Sequence, residues 1–143
     1  MKLPHNYSSS VTNNGDAYAT VQVPEMGELR LTTPADFDGP GGALSPGDLL
    51  LAAVEGCFVL TFHAIARASK LNYTALEVRA EGVVDRQDGT TRFTAIVLRP
   101  RLSLPPATDR ARALRILEKS ERGCLVANSL RTPITLEPEL VTA

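Results

Sequence analysis

The run from Ser45 to Lys70 constrains this chain more than anything else in it. Ser45-Pro46-Gly47-Asp48 puts a hydroxyl at an N-cap, proline at the first helical position and a carboxylate at the third. That is a helix start with a capping-box variant, Asp standing where Glu is usual. The stretch LLLAAVEGCFVLTFHAIARASK then continues the helix to about Lys70. Only Asp48, Glu55 and His63 interrupt its apolar surface over about the first five turns. A helix apolar on nearly every face has to be buried on most sides, inside a fold or inside a dimer. Its internal charges argue against a membrane span, which needs about 18 or more clean apolar residues.

The segments around this helix read as strands and one further helix. Asn13-Asn14-Gly15-Asp16 is a turn cluster between Val11 and the alternating run Ala17 to Val23. Pro24 ends that run, Met26-Gly27 turns, and Glu28 to Thr32 alternates polar and apolar as a half-buried strand does. Thr33 to Gly42 is loop, with Gly and Pro supplying special backbone angles. Residues 75–104 read as a long hairpin: Leu76, Val78 and Ala80 alternate with charged residues, and Asp88-Gly89 is the turn signal. Pro100 in the return strand predicts an edge position or a bulge there. Thr108-Asp109 opens a second helix with Ala111, Leu114 and Leu117 on one face, Gly123 as its C-cap and Cys124 directly after. Its basic residues Arg110, Arg112, Arg115, Lys119 and Arg122 read as a solvated face. Pro133 to Glu137 is a last short strand. Strands, helix, hairpin, helix and strand in that order predict an α+β domain.

At 143 residues the chain fits one domain over 1–143, large enough for a core without staples. With 15 Lys+Arg against 16 Asp+Glu the net charge is −1, so no overall basic balance or aromatic interleaving favours nucleic acid. The opening MKLPHNYSSS lacks the apolar core of a secretion signal, and a cytoplasmic location is the expectation.

The two cysteines, Cys57 and Cys124, are too few for a disulfide scaffold and stand 67 positions apart. Adding His5 and His63 makes a Cys2His2 set by composition, but without metal-ligand spacing, so neither metal nor cofactor is expected. Singly, each cysteine fits a small buried hydrophobe. Cys57, however, occupies a place in an apolar helix that Ala or Val could fill, and the pair together suggests thiol chemistry. Glu55 lies about 160° and His63 about 120° around the helix from Cys57, so neither is its obvious base. Each reads as a partnered or edge residue.

Ser45-Pro46-Gly47-Asp48-Leu49-Leu50-Leu51-Ala52-Ala53-Val54-Glu55-Gly56-Cys57-Phe58 resembles the signature of the OsmC/Ohr family, osmotically inducible protein C and organic hydroperoxide resistance proteins. Glu121 to Leu130, with Cys124 inside it, resembles that family's second cysteine motif. The Leu31-Thr32-Thr33-Pro34 stretch and the hairpin between the helices match the family's layout. The resemblance implies an OsmC-like fold in which antiparallel sheets wrap around a buried central helix in an intertwined homodimer. It also implies thiol-dependent reduction of an organic hydroperoxide. Cys57 would attack the peroxide and become a sulfenic acid, Cys124 would condense with it to a disulfide, and a dithiol reductant would reopen that bond. Val54, Phe58, Leu60 and Phe62 would form apolar walls favouring alkyl or lipid peroxides.

The chain departs from the family pattern at both activating groups. Gly47 stands ten residues before Cys57, where the family carries Glu, with Asp48 beside it. No Arg precedes Arg30, so the first hairpin offers none; Arg30 and Arg67 are the alternatives. Leu125 replaces the proline of the second motif. A buried thiol without a cation should have a raised pKa. The alternative to a peroxidase is therefore an OsmC-like module that binds a small molecule or senses redox state, without efficient turnover.

Overall fold

The computed structural model describes residues 1–142. It is an α+β structure with two sheets, and its residues gather into two compact units that divide between Leu50 and Leu51.

The first unit holds an antiparallel meander of β1 (Ser10–Thr12), β2 (Tyr18–Val23) and β3 (Gly27–Thr32), as the alternation predicts. Its first turn is built by side chains. The Asn13 carboxamide accepts from the Gly15 N–H (3.1 Å) and donates to the Tyr18 carbonyl (2.8 Å), while Gly15 takes φ of 89°. At the end of the unit, α1 (Pro46–Ala68) starts on the expected reciprocal cap. The Asp48 carboxylate accepts from the Ser45 N–H (2.8 Å) and hydroxyl (3.0 Å), and the Ser45 hydroxyl accepts from the Asp48 N–H (3.2 Å). Those bonds hold the Asp48 carboxyl below its ordinary pKa.

In the second unit, β4 (Ala75–Gln87) and β5 (Thr90–Leu104) form the long hairpin. Asp88 and Gly89 both take positive φ, 50° and 77°, the primed turn that suits twisted strands. Every second residue of β5 from Ile96 to Leu104 is buried, including Pro100. These pack with Val54, Phe58, Phe62 and Ala66 of α1 and with Ala113, Ile116 and Leu117 of α2 (Arg110–Arg122). Each large side chain so buried contributes about 1.5–3 kcal/mol. The α1 stripe repeats every four residues, which is one side of a helix.

Four readings are refined or corrected here. First, the single chain covers α1 along that stripe, and Leu60 is 70% exposed, so burial of the remaining sides rests with the dimer expectation. Second, the hairpin sheet is mixed: β6 (Ile134–Leu136) and β7 (Glu139–Thr142) both pair parallel to β5. Third, β5 is therefore central, and its register shift falls at Val83/Val84 of β4, not at Pro100. Ile96 donates to the Pro133 carbonyl (3.0 Å), so the even residues of β5 turn their polar groups toward β6. Pro100 comes where pairing passes from β6 (Leu98↔Leu136) to β7 (Arg101↔Glu139), and there its missing N–H leaves no rung unmade. Fourth, the buried face of α2 is Ala113, Ile116, Leu117 and Ser120, with Ala111 exposed. Arg112 is half-buried and donates to the Ser69 carbonyl just after α1, so it is not simply a solvated charge.

Candidate functional site

Helix α1 delivers Cys57 and the end of α2 delivers Cys124. The α2 cap forms as the sequence predicts: Asp109 accepts from the Arg112 N–H (3.0 Å), and Gly123 donates to the Lys119 carbonyl (3.0 Å). Cys124 then adopts an extended backbone and begins a single further turn, α3 (Leu125–Asn128), which periodicity did not reveal. It is 1% exposed, whereas Cys57 is half-buried; both are free thiols.

Cys57 and Cys124 lie near enough that each acts on the ionisation of the other. Burial raises the pKa of Cys57, but the Val126 N–H, the Cys124 thiol, the Thr61 hydroxyl and the Leu125 N–H all stabilise its thiolate, and the net direction is down from 9.0. The expected rise for a thiol without a cation is thus reversed by neutral donors. Cys124 moves the other way. Burial, with Cys57 beside it, pushes its pKa up to about 11 against the pull of the Ala127 and Val126 N–H groups. The site therefore pairs one thiol biased toward thiolate with one biased toward thiol.

The other ionisable candidates are engaged elsewhere. His63 Nδ1 is 2.8 Å from the Tyr73 hydroxyl, and Glu55 is raised by burial alone. Asp48 belongs to its cap, and the Arg30 guanidinium lies 3.7 Å above the Tyr18 ring. Arg67 is exposed in the last turn of α1. The apolar walls also need correction: Val54, Phe58 and Phe62 are fully buried core residues, and of that group only Leu60 faces outward.

Sequence reasoning missed the donors. Leu125 and Val126 act through backbone N–H groups, which leave no mark in residue identity. Thr61 did leave one, because a hydroxyl four residues after a helical cysteine shares its face; its oxygen is 4.0 Å from the Cys57 sulfur.

Comparison with known proteins agrees with this layout. Peroxiredoxin OsmC of Escherichia coli (strain K12) is 27% identical over 104 residues, 73% of this chain and 71% of that protein. The uncharacterized protein YmaD of Bacillus subtilis (strain 168) is 28% identical over 120 residues, 80% of each. An OsmC-like protein of unknown function from Vibrio cholerae has the same fold, with a TM-score of 0.85 at 18% identity over 94% of this chain and 99% of that one. The family model described as OsmC-like protein matches residues 39–139, a span that includes both cysteines, and the chain belongs to that family.

Proposed function

We propose that this protein reduces organic hydroperoxides through Cys57 and Cys124. The observation that carries the reading is the adjacency of the two thiols with opposite pKa shifts. The Cys57 thiolate attacks the distal peroxide oxygen; the O–O bond breaks, the alkoxide leaves and takes a proton as the alcohol. The resulting sulfenic acid is attacked by the Cys124 sulfur, the S–O bond breaks, water leaves and a disulfide forms. An external dithiol supplies two electrons and two protons to restore both thiols. A high pKa suits Cys124 to this order, because it stays a proton donor until a sulfenic acid forms.

The working unit in this reading is a cytoplasmic homodimer of a single OsmC-like domain. The outward side of α1 supports a second copy as its cover: Leu60 is 70% exposed, and Leu125, beside Cys124, is 61% exposed. An 18-residue window of this helix has mean hydropathy 2.0, which is costly to leave in water.

One observation favours redox sensing as the second reading: the groups acting on Cys57 are neutral, where the family motif brings Arg and Glu. One experiment separates the two. Reduced protein is mixed with one equivalent of cumene hydroperoxide, quenched with an alkylating reagent and weighed intact, beside Cys57→Ser and Cys124→Ser. The peroxidase reading expects rapid loss of two alkylation sites, a trappable sulfenic acid only while Cys57 remains, and turnover with a dithiol. Disulfide formation without turnover would establish the sensor. Two thiols still alkylatable after minutes would remove both readings.

A further inference from the structure

We propose that Thr61 is a positioning residue for Cys57, its hydroxyl donating to the Cys57 sulfur. The inference rests on the reading of Cys57 as the nucleophile. Thr61 sits one turn after Cys57 on the same side of α1, with Oγ1 4.0 Å from Sγ, at the outer reach of a sulfur hydrogen bond. Elsewhere in this chain two serine hydroxyls turn back on the carbonyl four residues earlier: Ser120 within α2 to Ile116 at 2.6 Å, and Ser129, the C-cap of α3, to Leu125 at 2.9 Å. Thr61 directs its oxygen to the sulfur. A thiolate only accepts, so once Cys57 ionises the Thr61 hydroxyl has to be the donor.

The Leu125 and Val126 N–H groups and the Cys124 thiol complete the set acting on Cys57.

The test separates hydroxyl from methyl. In a Cys124→Ser background, where only Cys57 reports, thiolate absorbance and iodoacetamide alkylation are followed against pH. Thr61→Val keeps the shape and loses the donor; the titration midpoint should rise and alkylation at neutral pH should slow by roughly threefold to tenfold. Thr61→Ser keeps the donor and should stay within about twofold of the parent. Circular dichroism of each variant checks that the helix persists, and Thr61→Ala serves as the second hydroxyl-free variant should Thr61→Val fail to fold. An unchanged midpoint in a folded hydroxyl-free variant overturns the proposal. A parent Cys57 that alkylates readily yet leaves the hydroperoxide intact would remove the peroxidase reading alone, since the titration still decides Thr61.

Discussion

Alkaline pH should weaken this fold through one thiol. Cys124 is 1% exposed, and burial, with Cys57 beside it, moves its pKa from 9.0 to about 11. In the unfolded chain the same thiol ionises near 9.0, so above that pH the unfolded state releases a proton that the folded state keeps. Stability from this group is complete below the unfolded value and is lost as pH climbs to the folded one. Two pH decades at about 1.4 kcal/mol each make the loss roughly 2–3 kcal/mol. Cys57 has the opposite sign. Its lowered pKa gives stability that builds as pH rises and is complete only above the unfolded 9.0, so the Cys124 slope is read in the part of the window above that value. The assay is urea unfolding under reductant at intervals between pH 8 and 11, for wild type and Cys124→Ala, the window set by the 9.0 and 11 values. Contributions common to both proteins cancel in the difference. Cys124→Ala begins less stable because of its cavity, and the gap should close by roughly 2–3 kcal/mol as pH rises. Parallel curves across the window would refute both the burial argument and the account of Cys124 as the retained proton.

Lys70, two residues past the end of α1, has a φ of 54°, a left-handed angle that a side chain resists; Lys70→Gly should stabilise the protein by about 1 kcal/mol, seen as a higher Tm. A methyl on Gly82 would lie 2.7 and 2.9 Å from the Phe93 ring and 3.1 Å from Leu51 Cδ2. Gly82→Ala should therefore cost about 1–3 kcal/mol in urea unfolding, with part recovered when Phe93→Leu is added. Leu60→Glu should leave the fold within about 0.5 kcal/mol while sedimentation shows the proposed dimer dissociating, because the side chain is 70% exposed in the single chain.

Where a residue's chemistry acts on its own neighbours in sequence, the structure was legible. Ser45 and Asp48 announce a helix start, Asp88-Gly89 a hairpin turn and Asp109 a second cap, and each forms as read. Legibility fades where a distant partner decides. Pro100 read as an edge signal because proline lacks an N–H, yet its strand is central; the gap between β6 and β7, remote in sequence, absorbs the defect. Composition made α1 look buried on most sides, inside a fold or a dimer, and the single chain covers the stripe from Val54 to Ala66. The same limit holds at the site. The cysteines stood out by their resemblance to a motif, but their adjacency depends on the break after α2, and helix α3 is too short to show a period.

That break explains how a thiolate is favoured here without a cation. An arginine would lower the pKa of any acid near it, through a charge that acts over several ångströms. The N–H groups of Leu125 and Val126 and the Thr61 hydroxyl act only at short range, so they favour the Cys57 thiolate only while α3 and the Cys124 N-cap hold their places. Disulfide formation would draw Cys124 toward Cys57 and consume the thiolate that those donors stabilise, removing their reason to stay. The same short turn would then both set the reactivity of the reduced pair and change when the pair is oxidised. Hydrogen exchange at Leu125 to Asn128 should accordingly differ between the reduced and oxidised proteins, while the α2 amides up to Lys119, fixed by the Asp109 cap, stay unchanged. Equal exchange at α3 in both states would mean that the turn is held by its own packing and that the donors are a fixed frame around the thiols.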